Sequence, residues 1–159
     1  ICNSILSLIE IPLGFHAHNN LHAAVANSIA AMENGCTSID SCSRGYGAGA
    51  GNLSLESLIG LLELDGIKTG LDFRKLIDLS LLIEENFSNS LPAVDVLSTA
   101  TGYHGLFSGF KKKVIEVSQK FKVSPINLIE KLGDANVIAG QEDQIIEAAL
   151  EIIQENKSE

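Results

Sequence analysis

The 159-residue sequence has no tryptophan, only three prolines and few basic side chains. Eleven Lys and Arg residues stand against twenty Asp and Glu residues, and the net charge of −9 disfavours nucleic acid and anionic membranes as partners. No apolar run approaches the roughly 20 residues of a membrane span, and no signal peptide is visible. The three cysteines, Cys2, Cys36 and Cys42, lack a C-x-x-C spacing, which favours reduced, buried thiols. These absences predict a cytoplasmic protein.

Two histidines, His16 and His18, follow an apolar run at a spacing of two residues. Side chains alternate between the faces of a strand, so both imidazoles would point the same way, with their backbones roughly 6.5–7 Å apart. Imidazoles at that spacing can converge on one divalent cation, although a short His-x-His is also compatible with simple surface polarity. The pair is the first candidate metal site.

The residues after this pair predict a regular alternation of elements. Apolar and small residues recur at helical intervals over residues 21–32, and Gly35 is placed to end that helix. The run 36–42 is rich enough in β-branched residues to be a strand. A glycine-rich stretch, 45–51, then precedes a second helix that begins near Leu55. The order strand, helix, strand, glycine-rich loop, helix indicates a parallel βαβα unit.

The glycine-rich loop predicts a ligand site at the same edge as the histidines, because ligands in such folds lie at the carboxyl ends of the strands. A glycine loop before a helix can cradle phosphate through its N–H groups. However, the four glycines Gly45, Gly47, Gly49 and Gly51 match neither the dinucleotide fingerprint nor the P-loop. A tight turn that brings the backbone and Asn52 close to a ligand is the better interpretation.

The stretch from Gly14 to Asn52, GFHAHNNLHAAVANSIAAMENGCTSIDSCSRGYGAGAGN, resembles the last quarter of the barrel in metal-dependent pyruvate aldolases and the related acyltransferases and lyases. Its Asn19-Asn20 pair and its loop sequence are more similar to 4-hydroxy-2-oxovalerate aldolases than to isopropylmalate synthases. The later segments TGYHGLFSGF, residues 101–110, and AGQEDQII, residues 139–146, resemble two signatures of the helical communication domain of that aldolase.

The resemblance implies an α/β fold, in which the C-terminal part of a TIM (β/α)8 barrel precedes an all-α communication domain. We assign residues 1–67 to the last two barrel strands and helices and residues 68–159 to the helical domain. A complete barrel takes about 250 residues. We therefore expect the chain to be a C-terminal fragment that is inactive alone, with residues 1–10 forming the end of the sixth barrel helix.

Site residues carry over from the family position by position. His16 and His18 match its two metal-binding histidines. Asn52 matches an asparagine that lies beside the metal in the lyase relatives, and the resemblance implies a supporting role for it here. Phe107 falls where the aldolases usually have a tyrosine whose hydroxyl reaches the substrate, and Tyr103 is expected one helical turn away as a half-buried packing residue. The third metal ligand, the base and the arginine of the family have no counterpart here.

The family implies metal-dependent cleavage of 4-hydroxy-2-oxoacids, such as 4-hydroxy-2-oxovalerate, to pyruvate and an aldehyde such as acetaldehyde. Mixed imidazole, carboxylate and water ligation suits Mn²⁺, with Mg²⁺ or Co²⁺ as substitutes. An acylating acetaldehyde dehydrogenase would dock on the helical domain and receive the aldehyde through a channel. Two alternatives remain: an acyltransferase of the isopropylmalate or homocitrate synthase type, and a non-catalytic docking module for the dehydrogenase.

The second half of the sequence predicts helices throughout. Asp72 is a candidate N-cap for a helix that runs to about Glu85. Further helices are expected over residues 101–121, after the Ser124-Pro125 pair, and over residues 141–154. The lysines at 111–113 are interpreted as a solvated helix face.

Overall fold

A computed structural model describes residues 1–158 of the protein, apart from the side chains of Ser90 and Ser158. Within these residues no helix is long and apolar enough to cross a membrane. Contacts divide the chain into two compact units, residues 1–93 and the residues from Val94 onward. The regular elements are α1 (Cys2–Leu6), β1 (Gly14–His16), α2 (Ala24–Glu33), β2 (Ser38–Asp40), α3 (Leu55–Leu64), α4 (Phe73–Phe87), α5 (Val96–Tyr103), α6 (Phe110–Phe121), α7 (Pro125–Asp134) and α8 (Gln144–Ser158).

The first unit is built on two short parallel strands. Strands β1 and β2 pair in the register Gly14 to Ser38 and His16 to Asp40, and helix α2 connects them. Parallel neighbours require such a crossover, so the predicted β-α-β unit is present. Its core consists of the buried residues Ala17, Ala24, Leu53, Leu58 and Leu62.

Local capping explains where the helices of this unit begin and end. The Ser54 hydroxyl accepts the N–H of Ser57 at the start of α3, and the Asp72 carboxylate accepts the N–H of Lys75 at the start of α4. Helix α2 ends at Glu33, and Gly35, which follows the Asn34 cap, has a φ of +92°, a backbone conformation that favours glycine. The predicted Asp72 cap and Gly35 stop are therefore confirmed.

The division between the units lies later than the boundary that we placed between residues 67 and 68. Helix α4 packs against α3 and against the short 3₁₀ turn Ser43–Gly45, so it belongs to the first unit. The glycine-bracketed link at 66–70 joins two helices of one unit rather than two domains. The glycines mark the link between α3 and α4, but they do not show against which helices α4 packs.

The second unit is entirely helical, as predicted. Helices α5 to α8 surround a core whose larger members are Phe110, Val114, Leu128, Ile129, Leu132 and Ile145. Helix α7 begins where the Ser124 hydroxyl accepts the N–H of Asn127 and Pro125 occupies the first turn. The predicted N-terminus of this helix is confirmed.

One helix predicted in this unit is wrong. Residues 101–121 do not form a single helix, because α5 ends at Tyr103 and α6 begins only at Phe110. Gly105 has a φ of +66°, and the N–H of Leu106 returns to the carbonyl of Thr101, which is a helix-terminating turn. The buried Leu106 packs in the core from this turn.

Candidate metal centre

The two predicted histidines lie together at the carboxyl end of β1. His16 is the last residue of the strand, and the ring centroids of His16 and His18 are 5.1 Å apart. The intervening Ala17 is buried at 5% exposure and its carbonyl accepts the N–H of Leu53. Burial of Ala17 on the core side leaves both imidazoles on the opposite face, as the alternation of strand side chains requires.

Asn52 lies directly beside this pair. His18 and Asn52 form an isolated antiparallel bridge, so the glycine-rich loop ends against the histidine segment. Two buried polar atoms, His18 Nδ1 and Asn52 Oδ1, have no hydrogen-bond partner. Buried polar groups are nearly always paired, so an orphaned nitrogen and an orphaned oxygen on bridged residues make this a candidate ligand site. An imidazole nitrogen and an amide oxygen are both suitable donors to a divalent cation.

The glycines of the loop hold the Asn52 side chain in place. A Cβ on Gly47 would lie 2.5 Å from the Asn52 carboxamide carbon, and a Cβ on Gly51 would lie 2.4 Å from the Gly45 carbonyl oxygen. The Asn52 amide donates to the carbonyl of Tyr46 at 3.0 Å and to the sulfur of Cys42 at 3.5 Å. These two contacts orient the amide through its nitrogen and leave the oxygen Oδ1 for a ligand.

The protonation of His18 suits the same role. Burial lowers the pKa of His18 below its ordinary value, and the neighbouring His16 lowers this pKa further. A hydrogen bond with the Gly51 backbone raises it, but by less. A lowered pKa keeps the imidazole neutral at physiological pH, and a neutral imidazole is the form that binds metal.

Asp40 is a residue of this site that the sequence interpretation missed. It ends strand β2 opposite His16, and its Oδ2 lies 3.3 Å from His16 Nδ1. The signal was its place at the end of a strand that runs parallel to β1. Within residues 1–158, no three His, Cys, Asp or Glu side chains converge as a complete metal site.

A second missed residue, Glu56, anchors the start of the loop. Its buried carboxylate accepts the hydroxyls of Ser43 and Ser80 in short hydrogen bonds and the hydroxyl of Ser54 at 3.0 Å. It also accepts the N–H of Arg44 at 3.1 Å. One side chain of α3 therefore ties together the loop and α4. Its position two residues after the Ser54 cap was the available signal.

Phe107 lies in the second unit, in the turn between α5 and α6. The residue is 42% exposed, and its ring stands edge to face with Phe110 at a centroid distance of 5.6 Å. Tyr103 is 80% exposed, and the helix ends at this residue, so the expectation of a half-buried packing tyrosine on a shared helix is wrong.

The fold and the site define a class: the closing strands of an α/β barrel with a histidine pair at their carboxyl ends, followed by a helical domain. Residues 2–83 match the HMGL-like family model, and residues 92–154 match the model of the DmpG-like communication domain. The chain belongs to the HMGL-like family. The second matched range begins two residues before the division between the compact units, which falls between Ala93 and Val94.

Known relatives are similar over most of this chain. A 4-hydroxy-2-oxovalerate aldolase of Streptomyces tendae is 44% identical over 147 residues, which are 92% of this chain and 41% of that protein. An aldolase of the same name from Pectobacterium atrosepticum is 38% identical over 98% of this chain and 46% of its own length. The chain thus spans less than half the length of these curated relatives.

A solved structure supports the fold. The carboxyl transferase domain of Rhizobium etli pyruvate carboxylase aligns with a TM-score of 0.77 at 16% identity, over 98% of this chain and 29% of that chain. At this identity the likeness concerns the fold alone, and it agrees with the barrel segment and helices described above.

Proposed function

We propose that this chain supplies the histidine pair and the helical domain of a metal-dependent aldolase that cleaves 4-hydroxy-2-oxoacids to pyruvate and an aldehyde. One observation carries the proposal: His18 Nδ1 and Asn52 Oδ1 are buried, unpaired and adjacent, beside a second imidazole. Relatives 38–46% identical that are named 4-hydroxy-2-oxovalerate aldolases support the choice of reaction and substrate.

His16 and His18 would hold the cation, with Asn52 in support, and Mn²⁺ suits mixed nitrogen and oxygen ligation, with Mg²⁺ or Co²⁺ as substitutes. When bound, the metal is a Lewis acid for the oxygens of a 2-oxoacid. The chain's own contribution is to fix the donors before substrate arrives. Ala17 holds the strand end through its bond to Leu53, and the glycine-rich loop holds the Asn52 amide.

Pyruvate release by the intact protein tests the activity. Purified protein with racemic 4-hydroxy-2-oxovalerate and Mn²⁺ should release pyruvate, measured by coupled NADH oxidation. Removal of metal with a chelator should abolish the release, and added Mn²⁺ should restore it. Acetyl-CoA-dependent thiol release from a 2-oxoacid, with no cleavage of the hydroxy acid, would instead identify an acyltransferase and reject the proposal.

Phe107 makes a separate prediction about stereochemistry. A phenyl ring cannot donate the hydrogen bond that a tyrosine hydroxyl offers. Such a bond is worth about 0.5–1.5 kcal/mol, a few-fold to roughly tenfold in rate. We expect the intact protein to cleave both enantiomers of the substrate with similar efficiency, and Phe107→Tyr to introduce a preference for one without changing metal affinity.

Chiral chromatography of partly consumed racemate measures this preference. Tyr103→Phe is the matched control, because it removes an exposed hydroxyl from the same segment and should leave the enantiomer ratio unchanged. Strong selectivity with Phe107 in place would show that another group fixes the substrate hydroxyl.

We further propose that the helical domain docks on an acylating acetaldehyde dehydrogenase that consumes the aldehyde. The match of residues 92–154 to a communication domain supports a partner enzyme. An aldehyde is reactive and diffusible, so direct transfer between two enzymes would limit its loss.

A further inference from the structure

Asp40 and His16 are brought together by the pairing of the two strands. The register opposes His16 to Asp40 at the carboxyl ends of β1 and β2, and His16 Nδ1 lies 3.3 Å from Asp40 Oδ2. Neighbouring strands lie about 4.8 Å apart, so opposed side chains on one face are held in reach of each other. The side chains of His16 and Asp40 are 48% and 68% exposed, and the strand register holds their backbones opposite each other.

The two histidines differ in the group that lies beside Nδ1. His16 Nδ1 has a carboxylate neighbour, whereas His18 Nδ1 is buried without a partner. A neutral imidazole carries its proton on one nitrogen and offers the other as an acceptor. A carboxylate beside Nδ1 selects the tautomer that is protonated there. Nε2 then carries no proton, and its lone pair is free to bind a cation.

We propose that Asp40 is the positioning residue of His16: its carboxylate accepts the Nδ1–H, fixes the tautomer and ring orientation, and presents Nε2 to the cation. The inference rests on the proposed metal site and adds to it the group that orients one ligand. Carboxylates that accept the second N–H of a metal-binding histidine also raise its basicity. His18 is oriented differently, through its bridge to Asn52.

The charge at this edge fits a positioning role better than direct ligation. Asp40 Oδ2 is already engaged by His16, on the Nδ1 edge of the ring. A cation held by Nε2 would not share the Nδ1 position that faces Asp40, and the described acidic groups do not complete a three-residue cluster with the histidines. The carboxylate therefore acts on the metal through the imidazole.

The test compares four variants of the intact protein: Asp40→Ala, Asp40→Asn, His16→Ala and Asp65→Asn. Asp65 is an exposed residue at the end of α3, so Asp65→Asn makes the same charge change away from the site. The first readout is the ¹⁵N spectrum of the histidine-labelled, metal-free protein, in which His16→Ala identifies the His16 signals. We expect the Nδ1–H tautomer at His16 in the unaltered protein and a tautomer mixture in Asp40→Ala.

The second readout is Mn²⁺ affinity by titration calorimetry. Asp40→Ala should weaken binding about 10–100-fold, as loss of such partners does. Asp40→Asn should fall between Asp40→Ala and the unaltered protein, because a carboxamide oxygen still accepts Nδ1–H. Asp65→Asn should leave both the affinity and the spectrum unchanged.

Each contrary result has a distinct meaning. Unchanged affinity and tautomer in Asp40→Ala, with binding lost in His16→Ala, would overturn the role of Asp40 and leave the metal site standing. Equal loss in Asp40→Ala and Asp40→Asn with the tautomer unchanged would show direct ligation by the carboxylate, which also overturns positioning. Normal binding by His16→Ala would reject the metal site itself.

Discussion

Replacement of His16 or His18 by alanine should weaken Mn²⁺ binding by the intact protein about 100-fold or more. Loss of an outer partner of a metal ligand already costs about 10–100-fold, and each of these substitutions removes a proposed ligand itself. The ring centroids are 5.1 Å apart, and both imidazoles are proposed ligands of one cation, so neither residue should compensate for loss of the other. Titration calorimetry of metal-free protein measures the effect directly.

His22→Asn is the matched control for these substitutions. His22 is an exposed histidine of the following loop with a φ of +57°, a conformation that asparagine tolerates. The substitution His22→Asn removes an imidazole near the same strand without removing a proposed ligand. The affinity for Mn²⁺ should therefore stay within a few-fold of that of the unaltered protein. Equal affinity in His16→Ala, His18→Ala and His22→Asn would show that the pair does not bind metal.

Replacement of Glu56 by alanine should destabilise the first unit by about 1–3 kcal/mol, the cost of leaving a buried polar group unpaired. The N–H of Arg44 would lose its acceptor, whereas the hydroxyl of Ser80 would keep the carbonyl of Leu76. The midpoint of urea unfolding, followed by circular dichroism, measures the change. Glu63→Ala removes an exposed carboxylate from the same helix, and its free energy of unfolding should stay within about 0.5 kcal/mol of that of the unaltered protein.

Glu56 also predicts an acid dependence of stability. Burial alone would raise the pKa of Glu56, but the hydrogen bonds from Ser43, Ser80 and the N–H of Arg44 outweigh it and hold this pKa below its ordinary value. Stabilisation by a group with a lowered pKa is complete above its unfolded value, about 4.3, and is lost as the pH falls through the folded value. Below about pH 4.3, the unaltered protein should lose the stability that the ionised Glu56 contributes. Glu56→Gln has no carboxylate to protonate, so this contribution to the acid-induced loss should be absent. An unchanged acid profile would contradict the assignment.

The same residue connects stability to the site. Glu56 holds the turn that opens the glycine-rich loop, and that loop ends on Asn52. Loosening the turn should therefore disturb the Asn52 amide even though Glu56 touches neither histidine in any described contact.

Several features of the chain follow from local sequence. The alternation of strand side chains places His16 and His18 on one face, and capping by Ser54, Asp72 and Ser124 sets the starts of three helices. Strand alternation and helix capping depend on interactions between residues a few positions apart, so they can be predicted from the sequence pattern. The family motif covers the same residues, so the candidate ligands could be named before any coordinates.

Other features were decided only by tertiary structure. The break between α5 and α6 depends on a turn that places Leu106 in the core, and residues 68–87 belong to the first unit because α4 finds its packing surface there. Asp40 reaches His16 through strand register, over a separation of 24 residues, and Glu56 meets Ser80 over the same separation. Periodicity and motifs describe neighbours along the chain, whereas these contacts arise because folding brings distant segments onto the same surface, and only their packing selects which polar groups meet.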